Sequence, residues 1–373
     1  MKNAFLIIDS TANNVDLFYL THFSAPDSYI YFSIDDKKHV VLSDLEYNKG
    51  KEYARVDYVL KLSDYTKSGA KGMVDIIDRI FKDKNITNIT VQKSFSYALG
   101  QALKERGYTI EVYPHAILKE REIKRPEEII CLRDSLNAAR DAIDFGIRII
   151  RESKVRNKIL YWKDEILTSE TLRKELFNFL LERECISVNE EGIDIITSAG
   201  RYSAMPHHHG TGPIPVNEPV IFDVFPRSMK TGYFGDMTRT VVKGKAHPKL
   251  KKMYEAVMEG QEIAFERIKD GVNGQDIHQA ICDLFVKKGL PNYEKNGEVF
   301  GFIHGTGHGL GLEIHEPPRI SFVSTILKTG NVASVEPGLY YEDVGGVRIE
   351  DIILVQDNGC EILTKYPREL EVE

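Results

Sequence analysis

Residues 219–225 read PVIFDVF, a run of apolar strand formers broken by a single carboxylate, Asp223. Burying an unpaired carboxylate in such a strand costs several kcal/mol, so Asp223 requires a cation or hydrogen-bond donors beside it. The anomaly recurs at 347–355, VRIEDIILV, where Glu350 sits in a second apolar run. Taken singly, each acid is explained by an ion pair, with Arg348 or Arg239 as available partners. Taken together, they form a pattern. Asp236 follows Asp223 by thirteen residues across Pro226, Gly232 and Gly235, the composition of a hairpin whose arms each present an acid. Glu336 stands before Pro337-Gly338, and Glu350 follows it by fourteen residues past Gly345-Gly346, a second hairpin of the same kind. Four converging carboxylates repel by about 4 kcal/mol per pair at 4 Å and an effective dielectric near 20. Two divalent cations would cancel the four charges.

Between the hairpins lies 304–318, HGTGHGLGLEIHEPP. Its glycines lack the G-x-G-x-x-G spacing of a dinucleotide loop, and the chain holds no G-x-x-x-x-G-K-[ST]. The small residues are read instead as allowing close backbone approach to a crowded site. His304, His308 and His315 add imidazoles to the acids.

Working outward, residues 127–153 carry apolar side chains at helical spacing after a proline at 126, and 1–118 alternate short β-branched runs with helical stretches. The expected organisation is an α/β domain over 1–118, a charged linker over 119–126 and an α+β domain over 127–373. In the second domain helices are expected near 164–184, 248–269 and 276–288, with strands at 194–198, 219–225, 233–242 and through 332–363. The 373 residues suffice for two domains with real cores. A formal charge of −7 gives no basic field for nucleic acid or anionic lipid. No run of 18 apolar residues occurs, so no membrane role is expected. The four dispersed cysteines and the short apolar run of 4–8 lead to the expectation of a cytoplasmic chain with reduced thiols.

FDVFP around Asp223, GDMTRT around Asp236, HGTGHGLGLEIHEPPRIS, SVEPGLY around Glu336 and GGVRIED around Glu350, together with IKRPEEI at 123–129, resemble the M24 metallopeptidase family. That family includes Xaa-Pro aminopeptidase, prolidase and methionine aminopeptidase. The resemblance runs from about residue 119 to the end. It implies a C-terminal pita-bread (creatinase/aminopeptidase-like) domain preceded by a ribonuclease-H-like α/β domain that completes a homodimer. It also implies a dinuclear site with Asp223, Asp236, His308, Glu336 and Glu350 as ligands. Oxygen donors with one imidazole suit Mn, Co, Fe or Zn ions, and such a pair activates a shared water.

By the same resemblance His315 stabilises the tetrahedral intermediate or protonates the leaving nitrogen, and Glu336 doubles as general base. His304 lines the substrate pocket, His207 contacts substrate, and Arg319 meets a substrate carboxylate. Arg348 is expected to support the ligands rather than react. His208 and His209 are expected to be loop residues without a role. Phe225 and the lengthened 227–230 loop depart from the family pattern and affect the pocket wall. The implied activity is hydrolysis of the bond before proline in a peptide, of the aminopeptidase P type. The alternatives are a prolidase confined to Xaa-Pro dipeptides or a non-catalytic binding protein of the same fold.

Overall fold

The structure, a computed structural model, describes residues 2–373. They form two compact units, Met1–Lys119 and Glu120–Glu373. The first carries strands β1 (Lys2–Asp9), β2 (Tyr29–Ile34), β3 (Lys37–Leu42), β4 (Tyr58–Lys61), β5 (Ile86–Val91) and β6 (Thr109–Val112), in sheet order β4-β3-β2-β1-β5-β6. The central β1 runs antiparallel to β2 and parallel to β5, giving a ribonuclease-H-like mixed sheet. Its side chains alternate with the pleat. Ala4 and Leu6 join one apolar cluster with α1 (Met73–Asp83), and Ile7 joins a second on the other face. Helix α1 buries Ile76, Ile77, Ile80 and Phe81, one stripe of a 3.6-residue period.

The second unit is built on two sheets. Strands β7 (Ile196–Ala199), β8 (Pro219–Val224), β9 (Met237–Lys243) and, from the chain end, Glu371–Val372 form the first. The second contains β10 (Gly307–Gly309), β11 (Glu316–Ile320), β12 (Val332–Val335), β15 (Asp351–Gln356) and β16 (Gly359–Ile362) in the order β11-β10-β12-β15-β16. Between β12 and β15 the chain folds out as a hairpin, β13 (Gly338–Tyr341) with β14 (Gly345–Arg348). Helices α2 (Pro126–Glu152) and α3 (Ser169–Leu181) pack on the first sheet through Ala139, Ile143, Leu172 and Leu176 against Phe222 and Val224. Helices α4 (Pro248–Arg267) and α5 (Gly274–Lys287) pack on the second against Ala333, Val335 and Ile353. Two helix-backed sheets with a site between their edges make the pita-bread architecture.

Pro126 occupies the first turn of α2, and Glu128 accepts from the Arg125 N–H at 3.0 Å, so the helix is capped from within its own first turn. Helix α3 begins at Ser169, later than the expected 164. Lys163 and Asp164 adopt positive φ (51° and 62°) and turn a hairpin, and the Thr168 side chain then caps the helix. Residues 120–126, expected to be linker, instead pack within the second unit: Arg121 is 2% and Lys124 7% exposed. Among the described residues no helix is long and apolar enough to cross a membrane. The four cysteines are free.

Candidate metal centre

Each acid of the proposed site is placed by a strand end. Asp223 is the penultimate residue of β8, opposite Ile196 on one side and Thr238 on the other. Asp236 directly precedes β9. Glu336 and Glu350 flank the β13–β14 hairpin at its neck, where β12 hands over to β13 and β14 to β15. A bridge from Thr238 to Glu350 ties the two sheets together there, the Glu350 N–H donating to the Thr238 carbonyl at 3.0 Å. His308 sits at the centre of β10. The glycines around it permit this approach: a Cβ on Gly307 would lie 1.9 Å from the Ser334 carbonyl oxygen, and one on Gly309 2.1 Å from that of Pro317.

Potential ligand atoms of Asp236, His308 and Glu350 all lie within 4.8 Å of one another, and all three residues are buried. His308 Nε2 is 3.2 Å from Glu336 Oε1 and 3.8 Å from Asp236 Oδ2. Its Nδ1 is 3.1 Å from the Gly309 carbonyl, which can only accept, so Nδ1 carries a proton and Nε2 is directed at the acids. Thr238 donates to Glu350 Oε2 at 2.7 Å and Ser334 to Glu336 Oε1 at 3.0 Å. Asp236 Oδ1 and Glu350 Oε1 are buried without a hydrogen-bond partner among the described residues. Two orphaned carboxylate oxygens beside an imidazole nitrogen are a donor set that fits a divalent cation.

The electrostatics agree with that fit. Burial, followed by the charges of Glu350, Asp223 and Glu336, pushes the Asp236 carboxyl well above its ordinary range. Burial and the neighbouring Glu336 and Asp223 do the same to Glu350. Burial also pushes Glu336 upward, but its bond to His308 together with the charges of His308, His304 and Arg348 outweighs this and holds it at about 2. Of the two arginines available for ion pairing, Arg348 takes Asp223, its Nη2 lying 2.5 Å from Oδ2, while Arg239 pairs with Asp351 at 2.8 Å. Neither donates to Asp236.

A cavity of about 570 Å³ opens over the acids. Asp223, Asp236, His308, Glu336 and Glu350 all line it, as do His207, His304, His315, Arg319 and Phe225. His304 is fully engaged: its Nδ1 donates to the Gly305 carbonyl, and Tyr340, which accepts from Arg348 at 2.9 Å, donates to its Nε2 at 2.9 Å. It therefore offers substrate a ring surface rather than a free nitrogen. His315 stands edge-on to His308 with ring centroids 4.4 Å apart. Desolvation in the cavity, then the neighbouring His308 and Arg319, lower its pKa to about 4, so its ring is neutral near pH 7.

His208 stacks on Tyr202 and accepts from the Gly210 N–H, consistent with a loop role. His209 differs from expectation. It lines the cavity and bonds Asp194 at 3.0 Å. Asp194 as a cavity residue, and Tyr340 as the group that holds His304 and Arg348 behind the cavity wall, are not anticipated from the sequence. Tyr340 is a buried strand aromatic in an apolar pattern, and Asp194 reads as an ordinary strand-edge acid. A further unanticipated group is the buried Glu316, which accepts from Lys124 Nζ at 2.8 Å, from Arg121, and from the Glu313 N–H at 3.1 Å.

A sequence model of metallopeptidase family M24 matches residues 131–357, and the chain belongs to that family. It is 30% identical over 365 residues to an Xaa-Pro dipeptidase of Pyrococcus furiosus, covering 96% of this chain and 93% of that one. An Xaa-Pro dipeptidase structure from Bacillus anthracis superposes with a TM-score of 0.82 at 27% identity, covering 100% and 95% of the two chains. The X-Pro aminopeptidase structure from Thermotoga maritima MSB8, at 23% identity and a TM-score of 0.82 over 100% and 98%, shares the fold. The protein is thus a metal-dependent peptide hydrolase.

Proposed function

We propose that this metallopeptidase cleaves Xaa-Pro dipeptides, as a prolidase, with two divalent ions held by Asp223, Asp236, His308, Glu336 and Glu350. The observation that carries the reading is Arg319, an exposed guanidinium lining the cavity with no ion pair or hydrogen bond to its side chain among the described residues. An open cation beside the reacting centre suits the free carboxylate of a dipeptide, whereas in a longer peptide that position is a neutral amide. The 30%-identical Xaa-Pro dipeptidase supports the same choice over the aminopeptidase P type.

Bound metal supplies an acidified water and polarises the scissile carbonyl. The chain's residues do the remainder. Glu336, held as a carboxylate, accepts the proton of the attacking water. Neutral His315 donates a hydrogen bond to the developing oxyanion, its ring exposed toward the cavity. His207 and His304 flank the substrate, and Arg348 fixes Asp223 in place. The proposed assembly is a cytoplasmic homodimer, the compartment chosen because the four thiols are free.

Chelator-stripped protein reconstituted with Mn, Co, Zn or Fe should take up two ions and hydrolyse Leu-Pro at least tenfold faster than Leu-Pro-Gly. Arg319→Ala should raise KM for Leu-Pro more than it lowers kcat. Equal rates on both lengths would assign the aminopeptidase P type instead. Full metal content and full turnover in Asp236→Ala would refute the site.

A further inference from the structure

On the side of the cavity carrying β7 and β8, Asp194 and His209 form a polar pair in an otherwise apolar wall of Ile196 and Phe225. The pair is held rigidly. Arg173 donates to the His209 carbonyl at 2.6 Å, and the Ser187 hydroxyl spans the Asp194 and Phe225 carbonyls at 2.6 and 3.3 Å. Gly210, next to His209, sits at φ +81° with a Cβ position only 2.4 Å from the Thr197 carbonyl oxygen, so the loop backbone is pressed onto β7. Only Asp194 Oδ1 is bonded to His209. Its other oxygen has no hydrogen-bond partner among the described residues, and the side chain is about one-quarter exposed.

Register gives the spacing. Ile196 lies opposite Asp223, and Asp194 and Phe225 continue the same face two residues further along. One strand across (about 4.8 Å) and two residues along (about 6.6 Å) places Asp194 some 8 Å from Asp223, backbone to backbone. A substrate whose carbonyl is over the acids, with its carboxylate at Arg319, has this wall of the same cavity available to its first residue. The α-amine of that residue is two bonds from the carbonyl carbon, about 2.5 Å, too near to reach Asp194. A lysine ammonium or arginine guanidinium lies about 6 Å or more from its Cα. Its aliphatic stem matches Ile196 and Phe225 while its charged head meets the carboxylate.

We propose that the Asp194–His209 pair selects substrates whose residue before proline is basic, Asp194 receiving the cationic head and His209 orienting the carboxylate. This rests on the Xaa-Pro activity proposed above. The test compares kcat/KM of the metal-loaded enzyme on Lys-Pro, Leu-Pro and Glu-Pro, using ratios within each enzyme so that general losses cancel. Wild type should favour Lys-Pro over Leu-Pro about tenfold and disfavour Glu-Pro. Asp194→Asn, isosteric and still able to meet His209, should bring the Lys-Pro to Leu-Pro ratio close to one. Asp194→Lys should reverse the order of Lys-Pro and Glu-Pro. Hydrolysis of Leu-Pro with no Lys-Pro preference, or a preference unchanged by both substitutions, overturns the subsite while leaving the peptidase reading intact. No hydrolysis of any of the three overturns both.

Discussion

Lys124→Met removes one of three donors to a carboxylate with almost no access to water. The Glu316 side chain is 1% exposed and Lys124 Nζ is 2.8 Å from its Oε2, with the lysine itself 1% exposed at the side chain. Removing one partner of a buried ion pair costs about 3–5 kcal/mol because the other charge is left uncompensated. Arg121 and the Glu313 N–H still serve Glu316, which places the expected cost near the lower end, about 3 kcal/mol. With a urea dependence of about 3 kcal/mol per molar, the unfolding midpoint falls by about 1 M. The single tryptophan, Trp162, packs against the core of the second unit, so its fluorescence reports that unit in the intact chain.

Lys288→Met, which breaks a surface pair with Glu259 at 38% and 48% exposure, is the control and should cost under about 1 kcal/mol. Burial pushes the Glu316 carboxyl up, but Lys124 and Arg121 outweigh it and hold the group below its unfolded value. The stabilisation is therefore complete above the ordinary glutamate range and disappears as pH falls through the lower folded value. The difference between wild type and Lys124→Met should accordingly shrink in acid. Adding Glu316→Gln to Lys124→Met should recover part of the loss at neutral pH. If Lys124→Met shifts the midpoint no more than Lys288→Met, or the difference grows on acidification, the clamp is not a charge-compensated core element.

Gly307→Ala should fail to fold stably or lose metal binding, since its Cβ would fall 1.9 Å from the Ser334 backbone oxygen of β12; a thermal midpoint within 2 °C of wild type would contradict this. His315→Ala should retain metal content while kcat drops by roughly 10²-fold, the scale of losing one oxyanion donor. Loss of metal in that variant would move His315 into the ligand set.

Asp223 and Glu350 were legible because each violates its own local pattern, and Asp236 and Glu336 because turn residues space them from that pair. A carboxylate between Phe222 and Val224, or between Ile349 and the apolar run after it, is costly wherever the strand is buried, and burial follows from the same neighbours. His209 violated nothing: in a polar loop an imidazole carries no local cost, so its bond to Asp194, fifteen residues away, left no trace in the sequence. The Arg121–Lys124–Glu316 clamp was hidden for a different reason. KEREIKRP is as charged as a solvated linker, and the compensating acid is 192 residues distant from Lys124. Charge density predicts exposure only when the opposite charge is not delivered by tertiary contact.

That contrast bears on how the centre is built. The same β10–β11 ribbon that brings His308 to the acids also carries Glu316, paired across from Gly309. His315, next to Glu316, has no hydrogen bond of its own among the described residues, so its ring is placed by the backbone rather than by a side-chain partner. Lys124 and Arg121 hold the Glu316 side chain, and through it the adjoining backbone, while burial desolvates the His315 ring. Positioning of the neutral imidazole is thereby assigned to cationic side chains that do not line the cavity, where they do not compete with a metal cation for the acids. An ion pair made directly to His315 would favour the protonated ring and place a further positive charge beside a site whose acids fit a cation. Holding it through the chain leaves the acids of the site free for a cation.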